Sequence, residues 1–69
     1  MNPKELALAA VENGYRAEVG NLFSVLASAI VTDGDTPEGL QKALDRFQKG
    51  LEYSNVALVR ASEIISRFD

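Results

Sequence analysis

Apolar residues recur at alternating steps of four and three residues through the second half of the chain, between Leu40 and Phe68. Ser54 alone interrupts the apolar character of this stripe. An apolar residue every 3.5 positions over about four heptads is typical of a helix that packs along another helix. We therefore predict an intrachain helix seam whose members are Leu40, Leu44, Phe47, Leu51, Leu58, Ala61, Ile65 and Phe68.

Two helix starts organise the 69 residues. Asn2-Pro3 and Thr36-Pro37 each place a capping side chain ahead of a proline, which is the arrangement found at helix N-termini. Between the helices, Gly34 is suited to the left-handed conformation that closes many helices. Because the connection is only about four residues long, the sequence predicts an all-α fold in which residues 1–69 form a single antiparallel two-helix hairpin.

The first helix contains one feature that could interrupt it. Asn13-Gly14 is a strong turn signal, and glycine costs about 1 kcal/mol relative to alanine inside a helix. An apolar stripe from Leu8 to Ile30 nevertheless runs through this point without leaving its face. We expect one helix and keep a break near Asn13-Gly14 as the alternative.

A hairpin this small has few means of stabilising itself. The sequence has no cysteine for a disulfide and no histidine or cysteine for a structural zinc, so oligomerisation is the remaining route. The segment 22–31 is apolar nearly all the way round, and one neighbouring helix cannot cover it. We expect self-association, as a homodimer that forms a four-helix bundle or as a higher oligomer, through the apolar residues Phe23, Val25, Val31, Tyr53, Val56 and Val59.

Composition argues against several classes of function. Without histidine or cysteine, the chain lacks the usual general base and the readiest nucleophile, so we expect no enzyme, metal site or cofactor. A net charge of −3 makes nucleic acid an improbable partner, and the longest apolar stretch is too short for a membrane helix. The absence of cysteine and of a secretion signal predicts an unprocessed cytoplasmic protein.

Basic residues follow one side of the second helix at intervals of seven. Arg46, Arg60 and Arg67, with Tyr53 between them, could form a docking face for an acidic partner or for RNA. A solvated face with charges partly balanced by nearby carboxylates is the simpler interpretation.

In outline the chain resembles the small helical-hairpin proteins of bacterial type III secretion, which are needle subunits and their short chaperones. The similar segments cover about half of the chain: Asp35-Thr36-Pro37-Glu38, residues 51–55 and residues 64–68. This resemblance implies helical polymerisation or chaperone binding through the same apolar faces. Our primary expectation is a non-enzymatic, self-associating interaction module that acts as an adaptor, regulator or assembly factor. A secretion-type needle subunit or chaperone and an RNA-binding hairpin dimer are the two alternatives.

Overall fold

A computed structural model of the protein describes residues 2–68 and places two α-helices in them. Helix α1 spans Pro3–Asp33 and helix α2 spans Pro37–Ser66. The connection between them is only three residues long, so the helices run antiparallel and pack along each other. The predicted all-helical hairpin is confirmed.

Both helices begin where the capping pattern predicted. The side-chain oxygen of Asn2 accepts a hydrogen bond from the backbone N–H of Glu5 at 2.8 Å. At the start of α2, the hydroxyl of Thr36 accepts from the N–H of Gly39 at 3.0 Å. Each contact satisfies a backbone donor that has no partner within its helix.

The prediction of a left-handed Gly34 was wrong. Gly34 has φ −72° and ψ −7°, which is right-handed, and its N–H still donates to the carbonyl of Ile30 at 2.8 Å. A Cβ at this position would collide with the carbonyl oxygen of Ile30. Glycine is therefore required here by the closeness of the preceding helical turn and not by a positive φ angle.

No break occurs near Asn13-Gly14, and α1 is continuous through that dipeptide. Tertiary contacts hold this part of the helix, because the Tyr15 hydroxyl donates to the side-chain oxygen of Asn55 on α2 at 2.9 Å. Nearer the chain ends, the ammonium group of Lys4 donates to the carbonyl of Ser66 at 3.1 Å. The two bonds fix the antiparallel register of the helices.

Close approach of the two helices occurs beside Gly50. A Cβ built on Gly50 would lie 2.5 Å from a methyl carbon of Leu22, so a larger residue would force the Leu22 side chain to move. Within residues 2–68 only Ala43 is buried, with 5% of its surface exposed. Ala43 and Gly50 are seven residues apart, and they mark the line along which α2 meets α1.

The hairpin is a single layer of two helices. Its Cα atoms extend over 52 × 17 × 7 Å, and the radius of gyration is 15.8 Å, against about 11 Å for a compact chain of this length. The solvent-accessible surface is 5306 Å², whereas a compact monomer of 7.5 kDa exposes about 4,200 Å². The fold therefore leaves roughly 1,100 Å² of additional surface uncovered.

The close approach at Gly50 can be tested by adding a side chain. Replacing Gly50 with valine should lower the free energy of unfolding by about 1–3 kcal/mol, because the new side chain would displace Leu22. Gly20→Val is the matched control, since no atom lies within 4 Å of a Cβ at Gly20, and it should change the value by less than about 0.5 kcal/mol. Urea unfolding followed by circular dichroism, at one fixed protein concentration, measures both. Equal effects at the two glycines would contradict the packing described here.

The cap of α2 gives a second prediction. Thr36→Ala should destabilise the protein by about 1 kcal/mol, because the N–H of Gly39 loses its acceptor. The control is Thr32→Ala, which removes a hydroxyl that only donates to the carbonyl of Ser28 within α1. Alanine is the better helix former, so this control should be neutral or slightly stabilising in the same thermal melts.

Candidate interaction surfaces

The residues of the heptad stripe of α2 differ in burial because of the way α2 packs on α1. Five of the predicted seam residues are half-buried: Phe47, Leu51, Leu58, Ala61 and Ile65. Leu40, Leu44 and Phe68 are exposed, and Leu44 retains 42% of its surface. Ala43 faces α1 directly. The part of the stripe nearest the turn, which contains Leu40 and Leu44, therefore points partly away from α1.

One flat side of the hairpin carries the exposed apolar residues of this stripe. At 100° per residue, Leu44 lies about 100° around α2 from Ala43, and Leu40 lies about 60° in the same direction. On α1, Phe23 and Ile30 lie about 80° and 60° from Tyr15, which points toward α2. We name this side the leucine face and define it by its exposed members Phe23, Ile30, Leu40 and Leu44.

The leucine face is uncharged and lies near the turn. Phe23 has 63% of its surface exposed, and Leu40 has 36%. Four half-buried apolar residues lie between the exposed members of the face: Val19, Leu26, Phe47 and Leu51. Together they form an apolar area near the turn. Nearer the chain ends, the same side of α1 carries two exposed charged residues, Glu12 and Arg16, at about 60° and 100° around α1 from Tyr15.

The opposite flat side contains an open groove with a volume of about 530 Å³. We name it the glycine groove. Small residues form much of its floor, including Gly14 on α1 and Gly50, Ser54, Ala57 and Ala61 on α2. Larger side chains complete it, and they are Val11, Tyr15, Leu22, Tyr53 and Leu58, with Glu18 as the one charged group lining it. The lining spans 12 residues on each helix, or roughly 16 Å from the first residue to the last.

Most basic side chains of the protein lie on the same side of α2 as this groove, although none of them is among the residues that line it. Arg46 and Arg60 lie about 60° and 100° around α2 from Ala43, in the direction of Gly50 and Ala57. Five of the seven Lys and Arg residues share this exposed strip, which we name the basic rim: Lys42, Arg46, Lys49, Arg60 and Arg67. The predicted docking residues Arg46, Arg60 and Arg67 all belong to it.

The carboxylates of α2 neutralise the basic rim only weakly. Asp45 accepts a hydrogen bond from Gln41 at 2.8 Å, and Glu52 accepts from Gln48 at 3.2 Å, on the side away from the rim. Within residues 2–68 the salt-bridge distance is met only between Arg60 and Glu63, at 3.4 Å, where both side chains are well exposed. An exposed pair of this kind is worth about 0–1 kcal/mol.

The six residues predicted to mediate self-association are all exposed, but they do not share one surface. Phe23 belongs to the leucine face, whereas Tyr53 lines the glycine groove. Val25 lines a smaller depression on the groove side, beside Arg46. Val56 and Val59 lie together on the outer edge of α2, and Val31 lies on the outer side of α1.

Three residues of the leucine face were not among the predicted self-association residues: Ile30, Leu40 and Leu44. Leu40 and Leu44 were assigned to the intrachain seam because they follow its spacing. The sequence did contain a signal for this different packing, namely the small residues Ala43, Gly50 and Ala57. Each of them immediately precedes a leucine of the seam. Their size permits close approach of α1, which moves the contact line away from the leucines.

In the part of the chain that the structure describes, no group of three or more His, Cys, Asp or Glu side chains could hold a metal ion. Neither α1 nor α2 is both long and apolar enough to cross a membrane. The built features are an uncharged apolar face, an apolar groove and a basic rim.

Comparison with known proteins gives no relative from which a role could be transferred. No protein-family model matches the chain, and neither the curated proteins nor the solved structures give a significant match. The proposals below therefore rest on the residues themselves.

Proposed function

We propose that the protein is a small non-enzymatic helical interaction module of the cytoplasm. It self-associates through the leucine face into a four-helix bundle and acts as an adaptor, regulator or assembly factor. The observation that carries this proposal is the uncovered apolar surface of a single-layer hairpin. A domain normally buries the apolar side of each helix against a second layer, and here a second copy supplies that layer.

The size of the uncovered surface supports this proposal. The excess of roughly 1,100 Å² per chain is comparable to the 800 Å² or so that each partner buries in a protein interface of standard size. Stability gives a second reason, because the hairpin has little core of its own: among residues 2–68 only Ala43 is buried. Covering Phe23, Leu40 and Leu44 with a second copy would provide the missing core.

Charge favours the leucine face over the groove side as the surface between copies. A two-fold axis brings the same patch of both copies together, so any charge in the patch faces its own equivalents. The leucine face has no charged member, and Glu12 and Arg16, on the same side of α1, carry opposite charges one turn apart, so their charges partly compensate. The groove side would bring two basic rims together, including Arg46 and Arg60 of both copies.

The proposal predicts a specific pattern of dissociation. The wild-type protein should sediment at twice the 7.5 kDa chain mass at micromolar concentration, and its melting temperature should rise with concentration. Leu44→Glu should raise the dimer dissociation constant by at least about 100-fold, because it would bury an unpaired carboxylate in the interface. Analytical ultracentrifugation measures the dissociation constants.

The matched control is Val59→Glu, which places the same charge on the outer edge of α2, where Val59 is exposed, as Leu44 is. It should leave the dimer intact. A stable wild-type monomer with a concentration-independent melting temperature would overturn the proposal, as would filaments or equal dissociation in the two variants. Phe23→Glu provides a second substitution on the same face, and it should act as Leu44→Glu does.

A further inference from the structure

We propose that the glycine groove and the basic rim together bind an amphipathic helix of a partner protein that carries carboxylates along one flank. This inference rests on the proposed role as an interaction module and names the partner class. It uses the side of the hairpin that the leucine-face dimer leaves open.

The shape of the groove suits a helix. Gly14 and Gly50 contribute no side chains from opposite walls, and Ala57 adds only a methyl group, so a channel remains between α1 and α2. Its length of roughly 16 Å corresponds to three helical turns. An amphipathic helix placed along it would insert side chains at spacings of three and four residues, which is a common mode of helix recognition.

Charge determines which helix fits. The protein carries a net charge of −3, yet five of its seven basic residues lie on the same side of α2 as this groove. Arg60 lies within the stretch of α2 that lines the groove, and Arg46 lies about one turn before it. Within residues 2–68, Lys42, Arg46 and Lys49 have no carboxylate within 4.0 Å. These cations are available to carboxylates on a docked helix, and complementary charge across an interface contributes specificity and a faster association rate.

The two walls of the groove also specify an orientation. The α2 wall is flanked by Arg46 and Arg60, whereas the α1 wall carries Glu18. A partner helix with carboxylates on both flanks would place some of them against Glu18. The best partner therefore has acidic residues on the flank above α2 and neutral or basic residues on the other.

The apolar floor argues for a helix over RNA. Val11, Leu22 and Leu58 line the groove, and Tyr53 is the exposed aromatic residue at its edge. Binding of single-stranded RNA generally combines a positive groove with several aromatic stacking platforms. Here the cations border the groove and the carboxylate of Glu18 lies in it, which disfavours a phosphate backbone along its floor.

The test uses a labelled synthetic helix of about 18 residues, the groove length plus one turn at each end. Its apolar ridge is leucine, one flank is glutamate and the other is alanine; a second peptide has lysine in place of every glutamate. Fluorescence anisotropy should show the glutamate peptide binding the wild-type protein at least tenfold more tightly than the lysine peptide. Its affinity should fall as the salt concentration rises, because the contacts with the rim are exposed to solvent.

Substitutions in the protein locate the site. Ala57→Trp fills the groove and should reduce the affinity for the glutamate peptide at least tenfold, whereas Ala17→Trp, on the outer side of α1, should not change it. Arg46→Glu should weaken binding at least fivefold. Arg16→Glu makes the same change in net charge away from the rim and should have little effect. Circular dichroism checks that each variant remains helical.

Several outcomes would overturn the inference. These are equal affinity for the two peptides, no detectable binding of either, or wild-type affinity in both Ala57→Trp and Arg46→Glu. Tight binding of a single-stranded RNA oligonucleotide that Arg46→Glu abolishes would identify a nucleic-acid site instead. Loss of peptide binding in a helical Leu44→Glu variant would show that the peptide occupies the leucine face.

The two proposals can fail separately. A wild-type monomer that binds the glutamate peptide through Ala57 and Arg46 would overturn the dimer and support the groove site. A wild-type dimer that binds neither peptide would support the dimer and overturn the groove site. The Val59→Glu and Ala17→Trp controls keep the two readouts independent.

Discussion

Close packing of Leu22 against Gly50 determines how the rest of the apolar surface is distributed. Because Gly50 has no side chain, α1 approaches α2 along the line of Ala43 and Gly50 instead of along the leucines of the heptad stripe. The turn-proximal leucines, Leu40 and Leu44, are then displaced onto one flat side of the hairpin. The same absence of side chains leaves an open groove on the other side.

The helix ends could be predicted because they depend on neighbouring residues. Asn2 and Thr36 cap α1 and α2 through bonds to backbone N–H groups three residues away, so the local sequence contains the whole interaction. Gly14 and Gly34 are different. Gly14 stays helical in a segment that Tyr15 ties to α2, and Gly34 adopts its conformation against the carbonyl of Ile30. At Gly14, tertiary contacts override the low helix propensity of glycine. At Gly34, the expected left-handed cap is replaced by a right-handed conformation that lies close to the carbonyl of Ile30.

The candidate surfaces were predictable only in part, for a geometric reason. A heptad stripe defines an apolar band on a helix, but it does not specify which part of that band meets the neighbouring helix. Ala43 and Leu44 are adjacent in sequence, and a rotation of α2 of much less than a turn decides which of them is buried. The seven-residue spacing of Arg46, Arg60 and Arg67 was visible in the sequence. The groove beside them was not, because Gly14 and Gly50 come together only through the register of the two helices.

The leucine face and the glycine groove lie on opposite sides of the hairpin, and the two surfaces would stabilise a complex in different physical ways. Burial of an uncharged apolar face is non-directional and does not depend on charge pairing, so it suits a permanent contact between identical chains that lack a core. A groove bordered by cations discriminates among partners, because a helix with the wrong charges must bring like charges together or desolvate them. In the proposed arrangement, an uncharged apolar face on one side and cations beside the opposite groove would let the hairpin assemble with itself and still select a partner. If the cations lay on the leucine face instead, every assembled dimer would bring its own basic residues together, and assembly would compete with recognition.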